Sequence, residues 1–158
     1  MSNNQPVRLL ILEESQNRAE ELIVLLRNAG KATRAHQIES SANLADVLKD
    51  QTWDLLLGST EASGVKMIDA LNQIRELEKD IPVIMIADDR NPEVIADGLR
   101  WGAKDVALKD DDDRLILIIE RELENLDNRR QRRRLEVEIR EVDRRNQLLL
   151  SSSTAAIA

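Results

Sequence analysis

Two carboxylates side by side, Glu13 and Glu14, follow the first apolar run of the chain, and Lys109 closes the last such run. Adjacent acids suit a divalent cation, and an ammonium suits an anion held next to it. Ser59, just past the third run, is a weak nucleophile that would need a positioned base, and the sequence supplies none nearby. His36 is the only histidine and the chain has no Cys, so a His/Cys metal centre, a thiolate nucleophile and a disulfide are all excluded. The acidic run 110–113 is explained most simply by helix capping and by attraction to a helix amino terminus.

The elements that must position these groups show in the alternation of apolar runs with amphipathic stretches. Residues 7–12, 32–38, 54–58, 82–87 and 104–108 read as five strands. Between them, Ala19, Leu22, Leu25 and Leu26 repeat at helical spacing, as do Ile68, Leu71, Ile74 and Leu77. Strand and helix thus alternate, and the near-continuous apolar character of the first, third and fourth strands predicts an α/β fold with a parallel sheet covered on both faces. Ligands of such sheets gather outside the carboxyl ends of the strands. Glu13, Glu14 and Lys109 are therefore expected at one edge. Punctuation agrees: Ser15, Ser41 and Asp113 are candidate caps of the first, second and fifth helices, Asn91 and Pro92 open the fourth, and Gly30 ends the first.

From Arg114 to about Leu150 neither Pro nor Gly interrupts the chain, which predicts a fifth helix continuing past the globular body. Its first half carries Leu115, Ile118, Ile119, Leu123 and Leu126, more apolar surface than one packed face needs, so part is expected to face a partner subunit. Its second half carries Leu135, Ile139, Val142, Asn146 and Leu149 at spacings of four and three, the seam of a short coiled coil with one polar position able to set register. Arg129, Arg130, Arg132, Arg133 and Arg134 lie among enough acids to read as a solvated, paired helix face. The organisation expected is a disordered start over 1–6, a domain over 7–126, a coiled-coil helix over 127–150, and the beginning of a linker over 151–158.

Charge separates the same parts. Residues 1–113 hold 13 basic and 22 acidic side chains, whereas 114–158 hold 10 and 8. An acidic domain repels phosphate backbones, and with Trp53 and Trp101 as its only aromatics it offers bases little to stack on, so nucleic acid is not expected as a partner. No apolar run approaches the roughly 18 residues of a membrane span and the start is polar, which together predict a cytoplasmic protein without membrane insertion.

Taken together, Glu13 and Glu14 after strand one, and Gly102-Ala103 before a strand that ends at Lys109, resemble the receiver domain of two-component response regulators over roughly residues 6–125. The resemblance implies a flavodoxin-like, doubly wound five-stranded sheet of order 2-1-3-4-5. It also implies a phosphorylation site, and that site is degenerate here. The acceptor carboxylate falls at Ser59, the hydroxyl residue after strand four at Ala87, the strand-five aromatic at Val106, and the proline after the lysine at Asp110. Glu61 is the only acid near enough to serve as an atypical acceptor with Mg²⁺, and no motif supports it. The resemblance therefore implies a non-enzymatic module without cofactor or metal. In it, Lys109 is expected to pair with Glu13 or Glu14. Stretches 9–20, 25–41 and 146–158 further resemble the amino-terminal receiver and signalling helix of FimX-type cyclic-di-GMP regulatory proteins of type IV pilus twitching motility. This implies a homodimer, downstream PAS, GGDEF and EAL domains on the same polypeptide, and an unidentified protein partner.

Overall fold

The computed structural model describes the backbone of residues 5–157 and the side chains of residues 5–148. Most of the expected disordered start, residues 1–4, lies outside the described residues. The chain divides into two compact units, residues 1–123 and 124–158.

In the first unit, strands β1 (Val7–Leu12), β2 (Thr33–Gln37), β3 (Leu55–Gly58), β6 (Val83–Ala87) and β7 (Asp105–Leu108) form one parallel sheet in the order β2-β1-β3-β6-β7. This is the expected 2-1-3-4-5 order once a small hairpin, β4 (Glu61–Ala62) and β5 (Val65–Lys66), is set aside. Helices α1 (Gln16–Asn28), α2 (Ser41–Asp50), α3 (Met67–Glu76) and α4 (Pro92–Trp101) fill the crossovers, and α5 begins at Asp112.

Side chains alternate across the sheet and build two cores. Leu10, Leu12, Leu56, Met85 and Val106 pack with α2 and α3, while Leu9, Ile11, Leu55, Leu57, Ile84 and Ile86 pack with α1 and the start of α5. Strands buried on both faces need this unbroken apolar character. Leu115, Ile118 and Ile119 belong to the second core, and Leu115 and Ile119 are fully buried, so the expectation that they face a partner is corrected: the sheet itself uses that surface. Leu126 is buried as well. Leu123 is half-buried against the second core, and of this stretch Leu117 is the large apolar residue left exposed.

Helix ends follow local chemistry. The Ser15 hydroxyl accepts from the Arg18 N–H at 3.2 Å and caps α1. At the other end Gly30, at φ +85°, lets the Gly30 and Lys31 N–H groups return to the carbonyls of Arg27 and Leu26, a Schellman closure. Asn91 and Pro92 open α4 as expected. Two caps fall on a neighbour: Ser40, not Ser41, caps α2, and Asp111, not Asp113, accepts the Arg114 N–H. Consecutive serines and consecutive aspartates are chemically equal candidates, and only the backbone path separates them.

Helix α5 runs Asp112–Ile157, so its backbone stays helical through 151–157, where a linker was expected. Neither Pro nor Gly stands there to end it. In the second unit Leu135, Ile139 and Val142 are 58, 60 and 52% exposed, and Asn146 is exposed too. The side chain of Leu149 lies outside the described residues.

Candidate functional site

The register of the sheet brings the expected site residues to one end. Leu12 on β1 lies beside Gly58 on β3, Gly58 beside Met85 on β6, and Ala87 beside Leu108 on β7. Glu13, Ser59 and Lys109 each follow directly on their strands. A Cβ on Gly58 would stand 2.5 Å from the Leu12 Cβ and 2.9 Å from the Leu12 carbonyl oxygen. No side chain fits at that position.

Ser59 is tied into the backbone on both sides. Its N–H donates to the Leu12 carbonyl at 3.0 Å, and its hydroxyl lies 3.1 Å from the Glu61 carbonyl oxygen and 3.4 Å from that of Leu12. A hydroxyl whose proton is directed at carbonyl oxygens faces no base that could remove it. Ala87 is buried and contributes its carbonyl to the Lys109 N–H at 2.9 Å.

The two acids hold backbone donors. The Glu13 Oε1 accepts from the Ser15 N–H at 3.1 Å, beside the cap of α1, and its carbonyl accepts from the Gln37 side-chain amide at the end of β2. The Glu14 Oε1 accepts from the Ser63 N–H at 2.9 Å. Ser63 and Gly64, at φ +53° and +75°, form the two-residue turn of the β4–β5 hairpin, the arrangement of a type I′ turn. Glu14 thus latches the hairpin tip. Sequence reasoning missed this hairpin, although Ser-Gly between short extended pairs is a turn signal. Glu61 stands exposed on β4 opposite Lys66, held by strand pairing.

Lys109 does not form the expected ion pair. Its side chain is exposed, and among the described residues it joins no salt bridge with Glu13 or Glu14. An exposed Lys–Glu pair gains only about 0–1 kcal/mol and orders two long side chains, whereas the glutamates already hold fixed N–H donors. The group that reaches the end of β7 is Arg18 of α1, whose guanidinium donates to the Lys109 carbonyl at 3.3 Å and to Glu21 at 3.1 Å. Nothing in the sequence around Arg18 marks that role.

A divalent cation of the kind used in phosphoryl transfer needs several oxygen ligands free to converge. Here one oxygen of each glutamate is engaged by backbone, and Ser59 at the end of β3 brings a hydroxyl and not a carboxylate. Among the described residues no group of three His, Cys, Asp or Glu side chains could hold a metal ion. These residues do not fit the metal. The peptide bonds are all trans among the described residues, including that between Lys109 and Asp110. No helix among the described residues is long and apolar enough to cross a membrane.

No protein-family model matches the sequence, and no curated protein matches it. Solved structures do. A signal receiver domain attributed to a LuxO repressor protein of Vibrio parahaemolyticus is 16% identical, with a TM-score of 0.70 over 80% of this chain and 97% of its own. The receiver domain of the Francisella response regulator 1452 is 17% identical, with a TM-score of 0.66 over 77 and 98% of the two chains. The receiver domain of a signal transduction histidine kinase from Syntrophus aciditrophicus is 22% identical, with a TM-score of 0.63 over 75 and 91%. At such identities the likeness establishes the fold, a flavodoxin-like receiver fold followed by a long carboxyl-terminal helix.

Proposed function

We propose that this chain is a receiver-like signalling module that does not accept a phosphoryl group and acts by self-association and protein interaction. The observation that carries the reading is Ser59, which stands where β3 opens into the cleft with its hydroxyl directed at the Glu61 and Leu12 carbonyls. The two acids beside it are engaged by the N–H groups of Ser15 and Ser63. In this reading the module is cytosolic and non-enzymatic, and it binds no metal.

Association would run through α5. Leu135, Ile139 and Val142, all more than half exposed, continue at spacings of four and three to Asn146, and Leu149 extends the period in sequence. A second copy of the chain covers such a seam, and a buried Asn at one core position favours a single register. A dimer of these helices would pass the state of the receiver bodies to PAS, GGDEF and EAL-type domains downstream in FimX-like cyclic-di-GMP control of twitching motility. A protein partner would act by favouring one packing over another.

Incubation with a small phosphodonor and Mg²⁺, followed by intact mass measurement, tests the central point. The expected result is an unmodified chain. A phosphoryl adduct mapping to Glu61 would instead establish the competing reading, an atypical acceptor, and overturn this one.

A further inference from the structure

A cavity lies toward the amino ends of β1 and β2, away from any motif of the sequence. It measures about 230 Å³ and is lined by Arg8, Arg34, Ala35, His36, Gln51 and Trp53. The parallel register sets Arg8 of β1 directly beside Arg34 of β2, with His36 two residues further along on the same face. Like charges placed side by side on adjacent strands repel and need a reason. Arg34 on the edge strand β2 is explained by edge protection. Arg8 is not, because β1 is flanked on both sides by β2 and β3.

Among the described residues Arg8 and Arg34 join no salt bridge, and the Arg8 guanidinium has only the Thr52 carbonyl, at 3.4 Å. The Asp54 carboxylate accepts the Arg8 backbone N–H at 2.9 Å. The walls are preorganised. The indole N–H of the buried Trp53 donates to the Val47 carbonyl at 2.8 Å, and its ring lies 6.2 Å from that of His36. The His36 Nε2 is 2.9 Å from the Asn43 side-chain oxygen, which also accepts the Glu39 N–H. An amide oxygen only accepts, so Nε2 carries the proton and the ring is fixed by α2.

We infer that this cavity binds a phosphate group, with Arg8 and Arg34 as paired guanidinium donors and Trp53 and His36 as its rigid wall. Two guanidinium forks offer more donors than the two oxygens of a carboxylate use, whereas the three terminal oxygens of a phosphate engage both. The volume lies below the roughly 300–1,000 Å³ typical of drug-sized ligands, which points to the group itself and not to a whole nucleotide.

The test is an amide-detected NMR titration of the full 158-residue chain at constant ionic strength with inorganic phosphate, O-phosphoserine and acetate. Saturable shifts at Arg34, His36 and the Trp53 indole are expected with both phosphates, and acetate should bind about tenfold more weakly. Arg34→Gln and, independently, Arg8→Gln should each weaken phosphate about tenfold while leaving the rest of the spectrum in place. Tighter binding of O-phosphoserine than of phosphate would assign a phosphorylated side chain of a partner protein, and equal binding would assign the free ion. Shifts that do not saturate, acetate equal to phosphate, or variants that bind as the parent does would each overturn the site.

Discussion

Around the carboxyl ends of β1 and β3, Glu13, Glu14 and Ser59 each hold a backbone partner, whereas along the second half of α5 Leu135, Ile139 and Val142 stand more than half exposed. Polar groups already satisfied within a chain gain little from a ligand, because any new bond replaces an existing one. Exposed apolar surface is different. Each square ångström removed from water contributes about 25 cal/mol, with no internal bond to break. The polar groups at the carboxyl ends of β1 and β3 are satisfied within the chain, whereas the apolar side chains of α5 stand exposed.

The contrast can be broken first at Gly58. Gly58→Ala forces a Cβ against the Leu12 backbone and is expected to lower stability by about 1–3 kcal/mol, read as a lower urea midpoint. An unchanged midpoint would mean that the cleft end is loosely packed. On the α5 side, Asn146→Leu replaces the polar seam position and should tighten self-association by about tenfold while relaxing register, measured by concentration-dependent thermal melting. Weaker association would place Asn146 outside the seam. Ser15→Ala removes the cap of α1 and should cost about 1 kcal/mol in chemical denaturation. Glu14→Ala has the smallest effect. Freeing the exposed Ser63 N–H should cost ~0.5 kcal/mol and speed its hydrogen exchange about twofold, with the core amides unmoved.

Strand and helix positions and the gathering of Glu13, Glu14, Ser59 and Lys109 at one end were legible because apolar runs and their spacing determine which faces are buried, whereas the strand order was implied only by the receiver resemblance. What was not legible depends on the path of the backbone through space. The Leu115–Ile119 surface and the Leu135–Val142 surface look alike as apolar periodicity, yet Leu115 and Ile119 are buried in the second core, and Leu135, Ile139 and Val142 are exposed. Lys109 and the glutamates share an edge, but the Ser15 and Ser63 N–H groups come to the carboxylates through a cap and a hairpin turn. Arg8 and Arg34 are 26 positions apart, and only strand register makes them neighbours.

Sedimentation equilibrium of the full chain beside Ile139→Asp tests most directly whether association through α5 is what this molecule is built for. The parent chain is expected to sediment as a concentration-dependent dimer, and Ile139→Asp as a monomer of unchanged helicity. A parent chain that stays monomeric at every accessible concentration, or a variant that dimerises equally well, would contradict it.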